Sequence, residues 1–267
     1  MYQIQLHDDE FSRFQRWLHQ TAGIDMSPAK KALVASRLAK RICHYGLESY
    51  DDYFQFIMAD RSGELQLALD LLTTNETYFF REPKHFDFLT QQVLTHIPAD
   101  RSLRIWSAAS SSGEEPYSLA MTLAEKRNTL GWEILASDIS SRVLEQAMSG
   151  RYPIERAHNI PLSFLMKYCL KGIGLQEGIF IIDRKLREKV RFMQINLNQD
   201  LPDIGMFDVI FIRNVMIYFN KETKAQVLQR LVPKLKHGGY LLVSHAESLH
   251  GLPHGLQLVS PSIYEKR

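Results

Sequence analysis

Residues 104–118 read RIWSAASSSGEEPYS, and the prediction of an α/β fold starts from them. It opens with a short run that contains the β-favouring Ile105 and Trp106 and continues through six small residues at 108–113. Pro116 suits an early helical position, where its missing N–H is not needed, and a helical pattern follows. The stretch predicts a strand, a tight turn and a helix. In an open α/β sheet such a turn lies beyond the carboxyl end of a strand, where ligands bind.

The chemistry of this turn argues against a bound phosphate group. It lacks the GxGxxG pattern of dinucleotide-binding turns, and its helix begins with two carboxylates, Glu114 and Glu115. These favour a ligand that presents hydroxyls or a cation. The next predicted strand, 132–137, ends at Asp138, which follows Glu115 by 23 positions. A carboxylate there is placed to accept hydrogen bonds from ribose hydroxyls, although Asp138 can also cap the helix predicted at 140–149.

Composition and charge exclude several classes of protein. The 267 residues are 45% hydrophobic, which is enough for one large domain and a smaller one. The net charge of +2 argues against a general nucleic-acid binder, and two cysteines are too few for a disulfide framework or a zinc site. No apolar run reaches the ~18 residues that span a bilayer, and the first residues are acidic where a signal peptide is basic. We expect a cytoplasmic monomer that binds neither metal nor nucleic acid.

The first third of the chain shows helical periodicity only. One predicted helix, at 28–46, carries an apolar stripe of Val34, Leu38 and Ile42. Beside it runs a cationic stripe, which consists of Lys30, Arg37 and Arg41. Two interpretations of this stripe stay open: an ordinary solvated face, or a docking surface for an acidic helix.

The segment TTNETYFFRE, residues 73–82, links the helices to the α/β half. It is polar at its start, with Asn75 and Thr77, and aromatic towards its end, where Arg81 follows Phe79 and Phe80. Such a segment can wrap a ligand that has one polar and one apolar end. The alternative is an interdomain hinge whose aromatic side chains fill the core, and we expect that fate for the two phenylalanines.

Strands and helices alternate after residue 103, which predicts a parallel, doubly wound sheet. Three glycines punctuate β-favouring runs between residues 152 and 190 and predict a small antiparallel insertion, at about 166–190. Later strands are predicted at 191–197, 207–219 and 240–245, with Gly238–Gly239 as a turn and a final pair within 256–266.

Polar residues interrupt or end two of these strands. Asn196 lies at the end of the first, where it either contacts a base or caps a loop. Arg213 and Asn214 interrupt the apolar run FDVIFIRNVMIYF. Because a buried polar group is costly unless it is satisfied, Asn214 and the nearby Tyr218 are candidates for ligand contact. The histidines show no convincing metal-ligand spacing.

Five segments together resemble the CheR family, the S-adenosylmethionine-dependent methyltransferases that esterify glutamate side chains of chemoreceptors. They are TTNETYFFRE, WSAASSSGEEPYSLAM, ASDIS, FDVIFIRNVMIYF and GGYLLVSHAES, in the family's order and across nearly the whole chain. The resemblance implies a helical domain (1–72), a linker with its connecting helix (73–98) and a Rossmann-like methyltransferase domain (99–267) with a β-subdomain. It also implies that the cofactor is contacted by Asn75, Thr77, Arg81, Glu115, Asp138, Asn196, Leu197, Asn214 and Val215.

The chemistry of methyl esterification agrees with these residue types. A glutamate with a pKa near ~4.3 is already ionised at neutral pH, so no general base is required. We expect Arg81 to hold the substrate carboxylate and Tyr218 to line the transfer site. The resemblance further implies that the cationic stripe meets a receptor's helical bundle, and that the β-subdomain can bind a receptor's C-terminal peptide. Two alternatives are a methyltransferase for another acidic substrate and a non-catalytic module that binds S-adenosylmethionine or its product.

Overall fold

The structure of the protein, a computed structural model, describes residues 4–59, 62–98, 101–127 and 131–267. The chain begins with a helical domain whose four α-helices are α1 (Asp8–Ala22), α2 (Lys31–His44), α3 (Tyr50–Met58) and α4 (Glu64–Leu72). A 3₁₀ turn, Pro28–Lys30, leads into α2. The predicted apolar stripe is confirmed, because Val34, Leu38 and Ile42 are all fully buried in the core of this domain.

A connecting segment follows the linker and leads into the α/β domain. It comprises α5 (Pro83–Phe88), a π-helical turn (Leu89–Val93) and α6 (Leu94–His96), which together form the connecting helix expected within 73–98. Phe79 is fully buried against the rings of Tyr152 and Phe180, and Phe80 is partly buried against Phe86. The aromatic end of the linker therefore packs into the core, as the sequence predicted.

The α/β domain is built on a seven-stranded sheet in the order β6-β2-β1-β7-β8-β10-β9. Its strands are β1 (Leu103–Ser107), β2 (Trp132–Asp138), β6 (Val190–Gln194), β7 (Phe207–Phe211), β8 (Leu235–Leu242), β9 (Gln257–Ser260) and β10 (Ile263–Glu265). The first five in the order pair in parallel, and β10 is antiparallel to both of its neighbours. Successive residues of β1 enter two different cores, with Ile105 in one and Trp106 in the other. Both faces are therefore covered, which confirms the doubly wound sheet.

Helices pack around this sheet, and a small sheet is inserted between β2 and β6. The α-helices are α7 (Glu114–Lys126), α8 (Ser141–Ser149), α9 (Leu162–Tyr168), α10 (Arg184–Arg187) and α11 (Lys221–Leu231). The small antiparallel sheet has the order β3-β5-β4 and consists of β3 (Arg151–Pro153), β4 (Cys169–Lys171) and β5 (Ile179–Ile182). It confirms a β-subdomain, and β3 extends it to residues before the expected 166–190.

Two strand predictions were wrong in extent. The strand predicted at 207–219 ends at Phe211, because the chain turns at Arg213 and Asn214 has a left-handed φ of +59°. Gly238 and Gly239 lie inside β8 and do not form a separate turn. Gly238, with a φ of +70°, lies where the pairing register of β7 and β8 shifts, and both glycines bond to the backbone of Lys266. A bulge at this point lets the strand continue.

Among the described residues, no helix combines the length and the apolar character that crossing a membrane requires.

Candidate functional site

A cavity of about 340 Å³ lies at the carboxyl edge of the sheet, beyond the ends of β6, β2, β1 and β7. Its wall includes every residue that the sequence analysis predicted to contact a cofactor, together with Tyr218 and Lys30. These residues are Lys30, Asn75, Thr77, Arg81, Glu115, Asp138, Asn196, Leu197, Asn214, Val215 and Tyr218. Arg37 and Arg41 do not line it. Parallel strands bring residues that are far apart in sequence to one edge, so the site follows from the sheet order.

The turn between β1 and α7 forms the floor of the cavity. Ser111 has a left-handed φ of +48° and donates its backbone N–H to Asp138 Oδ2 at 2.9 Å. Gly113 begins α7 with a φ of +96°, and a Cβ there would lie 2.8 Å from both the Ala147 Cβ and the Tyr152 hydroxyl. Only glycine fits this position. The small-residue run is therefore needed for close packing under the turn.

The two neighbouring glutamates of this turn face different surroundings. Glu115 lines the cavity and accepts hydrogen bonds from Ser107 Oγ at 2.7 Å and Arg213 Nη1 at 2.9 Å. Glu114 is fully buried outside the cavity wall, where it pairs with Arg156 at 2.6 Å. Burial raises the pKa of both carboxyls above the ordinary value of 4.5, against the opposing effect of their arginine partners. Glu115 is thus the one available to a ligand.

Asp138 ends β2 and lies beside the turn. Its second oxygen, Oδ1, accepts the Ser140 N–H at 3.0 Å, so two backbone donors orient the carboxylate. Burial raises its pKa above 3.8, while these N–H groups act in the opposite direction. The alternative role as N-cap of α8 is wrong, because Ser140 occupies that position and accepts from Val143 N–H.

Asn196 and Leu197 lie beyond the end of β6, next to Asp138 in the sheet order. The Asn196 amide donates to the Thr21 carbonyl at 2.6 Å and accepts from Asn198 N–H at 2.9 Å. Of the two roles that the sequence left open, the loop cap is therefore observed. This amide also ties the helical domain to the cavity wall.

Three donors hold the backbone of the linker over the cavity. Ser111 Oγ donates to the Asn75 carbonyl at 2.8 Å, Arg156 donates to the Thr77 carbonyl at 3.2 Å, and Arg213 donates to the Arg81 carbonyl. The Arg81 side chain is partly exposed, bonds to the Glu76 carbonyl and lies 5.5 Å from the ring of Tyr78. Among the described residues no carboxylate lies within salt-bridge distance of it. Its guanidinium therefore keeps donors for an incoming acid.

Arg213 is the functional residue that the sequence analysis missed. Its side chain is 1% exposed and lies between Glu115, at 2.9 Å, and Glu82, at 3.2 Å. In the sequence, Arg213 is a cation within an apolar run, and a cation that is buried there requires partners that satisfy its charge. Its partners come from the linker and α7, so Arg213 joins these elements to the end of β7.

One group of possible metal ligands lies within the described residues, beside Arg213. Glu82, His85 and His245 place ligand atoms within 4.8 Å of one another. The Arg213 guanidinium already matches the charge of the Glu82 carboxylate, and the Ser262 hydroxyl contacts His85 at 2.8 Å and His245 at 3.1 Å. These contacts favour a hydrogen-bonded structural network over an ion site.

The helical domain closes one side of the cavity. The loop after α1 pairs with the other domain, because Asp25 N–H donates to the Tyr218 carbonyl at 2.7 Å and Ile24 forms a β-bridge with Phe219. On α4, Asp70 accepts from Ser141 N–H and Oγ at the start of α8. No pattern in the sequence indicates these contacts.

The cationic stripe on α2 is largely satisfied within the chain. Arg41 binds Glu64 through both carboxylate oxygens at 2.7 Å, and Glu64 is 3% exposed. Arg37 donates to the Leu72 and Thr73 carbonyls. Lys30 alone of the three lies on the cavity wall, and it is exposed. The stripe therefore does not form a continuous free ridge.

The doubly wound sheet and its edge cavity define an α/β protein of the Rossmann-like class, with a small-molecule site at the carboxyl ends of its parallel strands. Residues 75–264 match the family description "CheR methyltransferase, SAM binding domain", and residues 9–73 match "CheR methyltransferase, all-alpha domain". The chain belongs to the CheR methyltransferase family, and its methyl donor is S-adenosylmethionine. The junction of the two matches, at 73–75, coincides with the start of the linker.

Curated relatives resemble the chain over nearly its whole length. The "Chemotaxis protein methyltransferase" of Escherichia coli (strain K12) is 38% identical, over 98% of this chain and 92% of that protein. The "Chemotaxis protein methyltransferase 2" of Pseudomonas aeruginosa is 39% identical, over 96% and 92%. That of Borreliella burgdorferi is 37% identical, over 98% and 96%.

The cavity suits this methyl donor. Its volume lies within the ~300–1,000 Å³ range of small-molecule sites. Glu115 and Asp138 place two carboxylates in its wall, and Ile139, Ile195 and Leu197 form an apolar surface at the end of the cavity nearest β2 and β6.

Proposed function

We propose that this enzyme transfers a methyl group from S-adenosylmethionine to glutamate side chains of chemotaxis receptors and forms glutamate methyl esters. One observation carries the proposal. The partly exposed guanidinium of Arg81, without a carboxylate partner among the described residues, lies on the wall of the cavity that gathers the expected cofactor residues. An acidic side chain that enters beside Arg81 would reach the donor without displacing an internal ion pair.

The carboxyl edge of the sheet supplies the groups that hold the donor. Asp138 would accept from the ribose hydroxyls, since it follows the second strand of the parallel unit. Asn196 and Leu197, beyond β6, would border the adenine. At the other end, Asn214 and Val215 would border the amino-acid part, together with Glu115 and the linker residues Asn75, Thr77 and Arg81.

The residues of the chain contribute alignment and exclusion of water. When bound, the sulfonium group supplies an electrophilic methyl, and transfer forms a carboxylate oxygen–carbon bond as the carbon–sulfur bond breaks. No proton has to move, because the glutamate is already ionised at neutral pH. Arg81 holds that carboxylate with its planar donors, and the partly buried Tyr218 covers the transfer point. The helical domain shields the same region, since its α1–α2 loop bonds to the backbone of Tyr218.

Receptor docking on the helical domain is part of the proposal, with different roles for the three cations. Lys30, exposed at the cavity wall, would meet the acidic face of a receptor helix. Arg37 and Arg41 already make hydrogen bonds within the chain, so they would contribute to receptor docking only through N–H groups that these bonds leave free. Reversal of Arg41 would leave the buried Glu64 beside a second carboxylate and destabilise the domain. The informative variant is therefore Lys30→Glu, with Lys40→Glu as the control, since Lys40 is exposed on α2, the helix that begins directly after Lys30, and lies outside the cavity wall.

The lysine pair gives a clear outcome. Lys30→Glu should raise the KM for a receptor fragment, measured at saturating S-adenosylmethionine, and Lys40→Glu should raise it much less. Equal effects of the two variants on the receptor KM would contradict docking at Lys30.

The β-subdomain is the proposed site for a receptor's C-terminal peptide. Strand β4 lies at the edge of the small sheet, where an extended peptide can add as a further strand. Leu170, Ile173 and Leu175, in this strand and the loop after it, are 59%, 83% and 102% exposed and offer apolar contact. A calorimetric titration with such peptides tests this, and the absence of heat at millimolar peptide would refute it.

The reaction itself is tested with radiolabelled methyl donor and a cytoplasmic receptor fragment. We expect label on the receptor that alkali releases as methanol, because carboxyl esters hydrolyse in base. Alkali-stable label would indicate a different acceptor atom. Label on small acids but not on receptor, or cofactor binding without turnover, would favour the alternative functions. A monomer acting in the cytoplasm is the expected setting for this reaction.

A further inference from the structure

The segment that follows β7 carries three of the proposed site residues on an irregular backbone. Asn214 has a left-handed φ of +59°, Val215 comes next, and a 3₁₀ turn, Met216–Tyr218, ends with Tyr218. This region of φ is uncommon for residues other than glycine, although asparagine tolerates it better than most. Local hydrogen bonds of this turn, such as Tyr218 N–H to the Val215 carbonyl, do not use the N–H groups of Asn214 and Ile217.

The Glu247 carboxylate supplies the acceptor for both of these groups. Its Oε2 accepts the Asn214 N–H at 3.0 Å and the Ser244 N–H at 2.8 Å, while Oε1 accepts the Ile217 N–H at 3.2 Å. The Glu247 N–H in turn donates to the Ser244 carbonyl at 2.9 Å, which fixes the base of the side chain. No salt bridge to Glu247 is found among the described residues. Its charge is therefore committed to three backbone donors from two loops.

We propose that Glu247 is a positioning residue for methyl transfer, which sets the backbone of residues 214–218 and thereby places Asn214, Val215 and Tyr218 at the cavity. This rests on the proposed roles of those three residues. An ionised carboxylate is an acceptor at both oxygens, whereas a glutamine offers one oxygen and turns two donors towards backbone N–H groups. Glu247→Gln keeps the volume but removes one of the two acceptors. The Asn214 or the Ile217 N–H then loses its partner, and the turn relaxes.

The position of Glu247 in the fold directs its side chain to the segment that follows β7. The residue lies after β8, which neighbours β7 in the sheet, and its bonds to the β7 segment span 30 and 33 positions in sequence. On the opposite side, Asp25 of the helical domain holds the Tyr218 carbonyl. The segment is thus clamped from both sides, and Glu247 fixes the end that carries Asn214.

The test compares Glu247→Gln with Glu145→Gln, a control at an exposed position of α8. For both, we would measure the Kd for S-adenosylmethionine by calorimetry, the kcat with a receptor fragment, and the melting temperature. Glu247→Gln should raise the Kd about tenfold and lower kcat at saturating donor, whereas Glu145→Gln should behave as the wild type. A Glu247→Gln variant with wild-type Kd and kcat overturns the proposal. Should that variant not fold, Glu247→Asp, which keeps the charge on a shorter stem, is judged by the same criteria.

A double-mutant cycle separates positioning from a general structural role. If Glu247 acts through Asn214, the Kd of the Asn214→Ala/Glu247→Gln double variant should be close to the Kd of whichever single variant binds S-adenosylmethionine more weakly. If the double variant instead raises the Kd by the product of the two single-variant factors, the two residues act independently, and this contradicts the proposal. If the wild type itself bound S-adenosylmethionine but did not methylate receptor, the proposed function would fail, while the cycle in Kd would still decide the role of Glu247.

Discussion

Replacement of Arg213 by Met tests the cluster that joins the linker, α7 and the end of β7. The substitution keeps most of the volume but leaves Glu115 and Glu82, whose side chains are 12% and 15% exposed, without their shared counter-charge. Breaking a buried ion pair by removing one partner costs ~3–5 kcal/mol, and the lost hydrogen bond to the Arg81 carbonyl adds ~1 kcal/mol. We expect a loss of roughly 4–6 kcal/mol, which corresponds to a melting temperature lower by about 8–24 °C at pH 7.

The pH dependence makes this prediction specific to charge. Burial already raises the pKa of Glu115 above 4.5, while Arg213 acts to lower it, so the Met variant should raise it further. A carboxyl whose folded pKa lies above its unfolded value costs stability at high pH, and this cost disappears as the pH falls through the folded pKa. The difference between variant and wild type in thermal unfolding should therefore shrink from pH 7 to pH 5. A melting temperature within about 2 °C of wild type at pH 7, or an equal loss at both pH values, would refute the reasoning.

Three further predictions concern the turn, the cationic stripe and the cofactor carboxylate. Gly113→Ala should lower stability by about 2 kcal/mol or more, because the new methyl group meets the Tyr152 hydroxyl at a strained φ, and an unchanged urea midpoint would contradict this. Arg41→Met should destabilise the protein by ~3 kcal/mol through the buried Glu64, without weakening S-adenosylmethionine binding once the protein is folded; a weaker Kd in the folded variant would show that the stripe contributes to the site. Affinity for the cofactor should fall on acidification at a pH above 3.8, because burial raises the pKa of Asp138 and its protonated form accepts hydrogen bonds less well. Calorimetry in matched buffers between pH 4.5 and 8 measures this, and an affinity that stays constant throughout would argue against a role for the ionised carboxylate.

Local patterns were sufficient to predict the elements that build the site. Residues 104–118 form the expected strand, turn and helix, and Asp138 ends the next strand beside that turn. Because parallel strands share one carboxyl edge, their polar ends meet in one cavity whatever their separation in sequence. The resemblance to a family then selected residues that the structure gathers there, although their individual contacts with the cofactor stay predictions.

Local patterns could not predict ion pairs and hydrogen bonds between residues that are far apart in sequence. The arginines on α2 have the periodicity of an exposed face, yet Glu64 and the carbonyls at the end of α4 occupy Arg41 and Arg37. Likewise Arg213 interrupted an apolar run without indicating that Glu82 and Glu115 would enclose it. Such pairings depend on which helix end meets which strand, and this is fixed only by tertiary packing.

We propose that one cavity at the sheet edge orients the methyl donor between Asp138 and Arg81. A crystal structure with S-adenosylhomocysteine, the demethylated product, tests it most directly. We predict ribose hydroxyls within hydrogen-bond distance of the Asp138 carboxylate, with the sulfur directed towards Arg81 and Tyr218. Ligand density elsewhere, or a ribose that makes no contact with Asp138, would contradict the account.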